Sequence, residues 1–283
     1  MKDILKEAAD TCRSPRRWRA PVPIDLIKAH AYGNDFLFVP IDQAVEEDRS
    51  TLARLVCDRH TGVGADGLVL YAPTEAGATM TLHNADGGVA EVSGNAVRCL
   101  AAIVARDRTG AHDVVIETDA GAIPLTLVES AGDRMTFEAL MGQPAGLGQR
   151  VLEVAGELVE VVVLSVGNPQ CIVLGPPVNH ARLQRLGPAL ATHHTFQSGA
   201  NVELVEVESP SRIRILIWER GVGPTAASGT GACASAVAAA AYGSASRDVD
   251  VVSPGGVQHV TWTDAGIRLT GWAEVVLTGR WHG

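Results

Sequence analysis

Two serines stand 135 positions apart in nearly identical settings: Ser93 opens SGNAVRCLAAIVA and Ser228 opens SGTGACASAVAAAA. Each is a Ser-Gly turn followed directly by a run of good helix formers. A helix start of this kind leaves backbone N–H groups unpaired and aligned with the positive end of the helix dipole, so it attracts an anion. Two such starts facing one another suit a carboxylate and the negative charge that develops beside it when an α-proton is removed. The plainer role of either serine is helix N-cap, worth about 0.5–2 kcal/mol. A cap does not require glycine directly after it, and the duplication points toward a shared site.

Two further pairs keep the spacing. Gly33-Asn34 in AYGNDFLFV matches Gly167-Asn168 in SVGNPQCIVL at 134 positions, and Asn84 in TLHNADGG matches Glu219 in LIWERGVG at 135. Each follows an apolar, strand-like segment and precedes turn residues, which places it at a strand end. Three coincident offsets indicate an internal duplication. Asn34, Asn84, Asn168 and Asn201 can each satisfy their own turns; as a set they offer donors and acceptors to a zwitterionic ligand. Glu219-Arg220 allows two roles: a rim salt bridge, or a clamp in which Arg220 holds a carboxylate and Glu219 an ammonium. His83 should face away from Asn84 across its strand and is read as structural. His30, His193 and His194 lack metal spacing.

The elements that must position these residues are short β-rich runs, such as residues 68–70, 113–116, 160–164 and 212–218. Helices are expected over residues 51–58, 95–105 and 231–241. The inferred fold class is α/β (α+β), with two pseudo-symmetric domains, many strands around one long central helix in each. The join is expected near residues 130–133, where Glu-Ser-Ala-Gly-Asp breaks the strand pattern. This gives an N-terminal extension over 1–24, a first domain over 25–130 plus about 272–283, and a second over 131–271.

At 283 residues and 46% hydrophobic, the chain is long enough for two real cores, and with 4% aromatics those cores are aliphatic. A net charge of −9 repels phosphate backbones, so nucleic acid is not an expected partner. Arg13, Arg16, Arg17 and Arg19 cluster near the N-terminus, but no apolar run follows them, so a solvated extension is expected rather than a membrane anchor. The five cysteines are scattered without CxxC or Cys/His metal spacing, which fits a reducing cytoplasm. Cys99 and Cys233, inside alanine-rich helices, are read as small buried hydrophobes.

Together KAHAYGNDF from Lys28, CDRHTGVGADG from Cys57, HNADGG from His83, SGNAVRC from Ser93, GNPQ from Gly167, ANVELV from Ala200 and ERGVGPTAASGTGACA from Glu219 resemble the diaminopimelate epimerases. The resemblance runs from about Lys28 to Ala234. It implies two domains, each a β-barrel around a central helix, closing over an amino acid in the cleft and inverting its α-carbon without pyridoxal phosphate, metal or other cofactor. It implies a small-molecule substrate, no membrane or nucleic-acid partner, and a homodimer. Carried over, Asn34, Asn84, Asn168 and Asn201 resemble the family's substrate-binding asparagines, and Glu219 and Arg220 its charged pair. The backbone of Gly94-Asn95 and Gly229-Thr230 resembles its carboxylate cradle.

Departures from the family pattern fall on the chemistry. Serine occupies both catalytic cysteine positions, at Ser93 and Ser228. Gln170 stands where the family has an assisting histidine, Pro224 replaces a glutamate, and Gly67 ends a GADG where GADQ is expected. A serine hydroxyl ionises far less readily than a thiol and needs an adjacent base; Glu219, Asp86 and Glu91 are the carboxylates near enough in sequence. The leading function is a cofactor-independent amino-acid epimerase, most simply of diaminopimelate. A superfamily dehydratase or isomerase on another amino acid, and a binding protein without proton transfer, stay open.

Overall fold

The computed structural model describes residues 23–44, 49–89, 93–108, 112–119, 121–154 and 156–283. The proposed basic extension, Cys12 and Glu91 lie outside the described residues, apart from positions 23 and 24. The first half runs β1 (Ile24–Ala31), β2 (Asn34–Pro40), α1 (Arg49–Cys57), β3 (Gly67–Pro73), β4 (Gly77–Asn84), α2 (Gly94–Asp107), β5 (Asp113–Thr118), β6 (Gly121–Ala131) and β7 (Arg134–Leu140). The second runs β8 (Ala145–Val154), β9 (Glu157–Ser165), β10 (Pro169–Leu174), α3 (His180–Ala191), β11 (Asn201–Ser209), β12 (Arg212–Glu219), β13 (Gly223–Thr225), α4 (Gly229–Tyr242), β14 (Asp248–Ser253) and β15 (Gly256–Thr263). A long last strand, β16 (Gly266–Trp281), serves both halves.

Strands β1 to β7 pair in chain order and β16 joins β7 to β1, which closes an eight-stranded barrel without free edges. The second half orders β8-β9-β10-β11-β12-β14-β15-β16, with β13 beside β12. There the Met141 N–H donates to the Ile267 carbonyl and the Ile267 N–H to the Gly142 carbonyl, tying the lead-in to β8 onto β16. The halves share a wiring scheme: α1 and α3 each link a parallel pair, β2/β3 and β10/β11, and α2 and α4 link the parallel pairs β4/β5 and β12/β14. The duplication read from three residue pairs is thus a duplication of topology.

Composition explains the central helices. Every residue of α2 from Asn95 to Ala105 is buried, and α4 is buried from Gly231 to Ala239. A helix covered on all faces cannot be amphipathic, and its alanines let surrounding strands approach closely. Cys99 and Cys233 sit fully buried inside these helices, as expected. The expected strands and helices fall within β3, β5, β9, β12, α1, α2 and α4 to within a few residues. Helix α3 was not foreseen, since Pro188, which lacks an N–H to donate, interrupts its pattern; it lies among the last four residues of the helix. The expected join at 130–133 coincides with the β6–β7 turn inside the first barrel, and the chain crosses over at residues 141–144.

Candidate functional site

Both serines take extended backbone just ahead of their helices. Ser93 Oγ accepts from the Ala96 N–H at 3.4 Å, and Ser228 Oγ accepts from the Gly231 N–H at 3.1 Å. The capping role is therefore realised at both. The two helix starts also meet: Asn95 Nδ2 donates to Asn34 Oδ1 at 3.1 Å and reaches the carbonyl of Ala227, the residue before Ser228, at 3.5 Å. One buried amide thereby touches both halves at the mouths of their central helices. Among the described residues, apart from its chain neighbours and its own helix backbone, nothing lies within 4 Å of where a side chain would begin at Gly94.

Asn34 is aimed by a charged network. Its Nδ2 donates to Asp66 at 2.8 Å; Arg59 bridges Asp66 at 2.8 Å and Asp35 at 2.7 Å, and Lys28 contacts Asp35 at 2.9 Å. Burial pushes the Asp35 carboxyl up, but Arg59 and Lys28 outweigh burial and hold it below the usual carboxylate range. Gly33 and Gly167, the matched glycines before Asn34 and Asn168, both take left-handed backbone, with φ of +88° and +79°. The same left-handed glycine turn thus presents an asparagine in each half.

In the second half Gln170, fully buried, lies 2.6 Å from Asn168 Oδ1. The amide orientation that suits its other partners places the nitrogen 3.2 Å from both Glu203 carboxylate oxygens and lets the oxygen accept from the Thr230 hydroxyl at 3.1 Å. Glu203 has no exposed surface; burial, then the nearby Glu219, pushes its carboxyl well above the usual carboxylate range. Its carboxyl presses against the first turn of α4, where a side chain begun at Gly231 would stand 2.4 Å from Oε1. Burial likewise raises Glu219; a bond from the Thr225 hydroxyl at 3.1 Å opposes this, and Asp66 of the other half adds to it.

Asn34, Ser93, Gly94, Asn95, Asn168, Ser228, Gly229 and Thr230 come together around the two helix starts. Asn201 and Arg220 engage each other: Asn201 Oδ1 accepts from the Arg220 N–H at 2.9 Å, and Arg220 Nη1 donates to the Ser198 carbonyl at 2.6 Å. Asn84 is exposed at the end of β4, its backbone closing a turn with Gly87 and Gly88. Asp86 closes that turn through Gly88 at 2.8 Å, and His83 is buried. Burial pushes the Cys57 and Cys233 thiols up to about 12, and Cys99 and Cys171 are raised also, so these are inert core groups. Among the described residues no cluster of three or more His, Cys, Asp or Glu is arranged to hold a metal. No helix among them is long and apolar enough to cross a membrane.

Sequence reasoning passed over Glu203, Asp66, Arg59 and Arg98. Two of these carried a signal. Glu203 follows Asn201 by two residues on a strand, so the two share a face, and a carboxylate amid Val and Leu is unusual for a buried strand. Arg98 sits inside an alanine-rich helix with apolar neighbours on every side, where a charge must find a partner.

The diaminopimelate epimerase family model matches residues 26–145 and again 162–280, once per half. The chain is 42% identical over 278 residues to the diaminopimelate epimerase of Desulforudis audaxviator, covering 91% of this chain and 99% of that one. Among solved structures it is similar to a Bacillus anthracis phenazine biosynthesis protein of the PhzF family, with a TM-score of 0.67 at 15% identity over 92% of this chain and 99% of that one. A hydroxyproline epimerase from Agrobacterium vitis, solved with trans-4-hydroxy-L-proline, matches with a TM-score of 0.67 at 16% identity over 94% of this chain and 92% of that one.

Proposed function

Because this chain belongs to the diaminopimelate epimerase family, we propose that it is a cofactor-independent epimerase of diaminopimelate whose α-carboxylate rests on the facing helix starts at Ser93 and Ser228. The observation that carries this reading is Asn95, whose amide contacts Asn34 in one half and the Ala227 carbonyl beside Ser228 in the other. A ligand at that point meets unpaired N–H groups from both helices. Removing its α-proton shifts negative charge onto the carboxylate oxygens, which those groups and the helix dipoles stabilise.

Inversion needs a proton removed on one face and another returned on the opposite face. Ser93 and Ser228 come from opposite halves and flank the bound carbon. Each serine oxygen accepts a bond from its own helix, which leaves the hydroxyl hydrogen to point into the cleft. Ser228 takes the α-proton as its own hydroxyl proton passes to the Glu219 carboxylate, and Ser93 delivers its hydroxyl proton to the other face. Solvent water then returns a proton to the Ser93 oxygen while Glu219 releases one to solvent, and the reverse sequence runs the reaction backward. Glu219 suits this task because burial holds its pKa above the usual carboxylate range. On this reading the protein works in the cytoplasm on a precursor of lysine and peptidoglycan, as a homodimer.

One observation favours a second reading, amino-acid binding without turnover: position 170 carries an amide that titrates no proton, and both serines are engaged as caps. Incubation in D₂O with LL- and meso-diaminopimelate, then a panel of amino and hydroxyamino acids, decides by NMR. Loss of an α-proton signal that Ser93→Ala or Ser228→Ala abolishes supports the epimerase. A ligand that stabilises the fold while every α-proton persists sinks it in favour of the binding protein.

A further inference from the structure

Arg98 is the largest fully buried side chain among the described residues, with 1% of its surface exposed. Among the described residues no carboxylate forms an ion pair with it. Its Nη1 donates to Asn95 Oδ1 at 3.2 Å, its Cζ lies 5.9 Å from the Tyr32 ring centroid, and its Nε has no hydrogen-bond partner. Asp35, the buried carboxylate of the same half, is already held by Lys28 and Arg59. Burial lowers the guanidinium pKa, yet arginine stays charged because its ordinary value is so high. An isolated buried charge is costly unless an opposite charge arrives.

The surroundings say where that charge arrives. Side chains on a helix lean toward its N-terminus, so a residue three positions after Asn95 points back at the Ser93 turn. Gly271 on β16 leaves room for it: a side chain begun there would stand 3.2 Å from Arg98 Cζ. Cys233 of α4 lies close enough to feel the same cation, so Arg98 sits where both central helices and the shared strand meet. We infer that Arg98 is a positioning residue whose buried charge acts through Asn95, and that its counter-ion is the substrate carboxylate seated at the two helix starts. The inference rests on the carboxylate site proposed above and extends it by one residue layer.

A unit charge about 8 Å from a carboxylate, at an effective dielectric of about 20, changes affinity about 30-fold. Full-length wild-type protein, Arg98→Lys and Arg98→Met are titrated with formate and, separately, with meso-diaminopimelate. The amide resonances of Gly94, Asn95, Gly229 and Thr230 are followed by NMR. Arg98→Met should weaken both ligands about 30-fold and Arg98→Lys should restore formate binding to within about threefold, a rescue that loss of packing alone does not produce. In turnover the methionine variant should raise KM and lower kcat together, since the developing charge is larger in the transition state. Formate binding equal in Arg98→Met and wild type overturns the inference. If meso-diaminopimelate fails to bind wild type while the formate series behaves as described, the substrate assignment falls and the role of Arg98 stands. Should Arg98→Met not fold, the Arg98 Nε–H resonance of wild type decides: it must move on saturation with formate, and an unmoved signal overturns the inference.

Discussion

Replacing Gly231 with alanine reverses a familiar expectation. Within a helix, Gly→Ala ordinarily stabilises by about 1 kcal/mol. Position 231 is the third residue of α4, and its first side-chain carbon would stand 2.4 Å from Glu203 Oε1 and 3.1 Å from both Glu203 Cδ and Ser228 Cβ. Ordinary contact needs about 3.5 Å, so the carboxyl must retreat by about 1 Å. Glu203 is fully buried and has no solvent to move into. Overpacking costs about 1–3 kcal/mol and loosening the bond with Gln170 about 0.5–1.5 kcal/mol. After the helix gain, the net effect is a loss of about 2 kcal/mol, seen as a melting temperature lowered by several degrees. In a Glu203→Ala background the same substitution should turn stabilising, because the obstructing carboxyl is gone. Thermal unfolding of the four proteins, followed by circular dichroism, measures both. Stabilisation of the otherwise wild-type protein by Gly231→Ala would refute the placement of Glu203 beneath the α4 turn.

Other consequences follow from the same contacts. Ser93→Ala and Ser228→Ala should each cost about 1 kcal/mol of stability through loss of a cap, in urea unfolding, and the glycine variants only a few tenths. Asp35→Asn leaves Lys28 and Arg59 facing a neutral amide, and should cost about 2 kcal/mol while also releasing Asn34 through Asp66. The raised carboxyl of Glu203 makes its stabilising share complete below its ordinary pKa of 4.5, and that share is lost as pH climbs through the raised native value. Stability should therefore decline on the alkaline side of 4.5, and Glu203→Gln should flatten that decline in melting curves recorded across pH.

Much of this fold was legible because it is written twice. The Ser-Gly helix starts, the Gly-Asn turns and the alanine-rich helices recur at one spacing, and each recurrence fixes an element that the other half repeats. The capping serines were readable because a serine directly ahead of a run of helix formers has a ready role at the helix start. Less legible was anything that depends on which distant groups meet. Asn201 and Arg220, expected as ligand contacts, also bond to each other across a turn that no local pattern specifies. Glu203 and Arg98 passed unnoticed because a charged residue inside an apolar run reads as an exposed interruption until the surrounding strands enclose it. Helix α3 was hidden by Pro188, and the domain join by a β6–β7 turn with the composition of a linker.

The central claim is that two different serines, one from each half, act on opposite faces of one carbon. Following the first turnovers of LL-diaminopimelate in D₂O by mass spectrometry tests it most directly. Two separate proton carriers predict that the meso product carries deuterium at the inverted carbon while recovered substrate still carries hydrogen. Deuterium appearing equally in recovered substrate and product, or in neither, would contradict it.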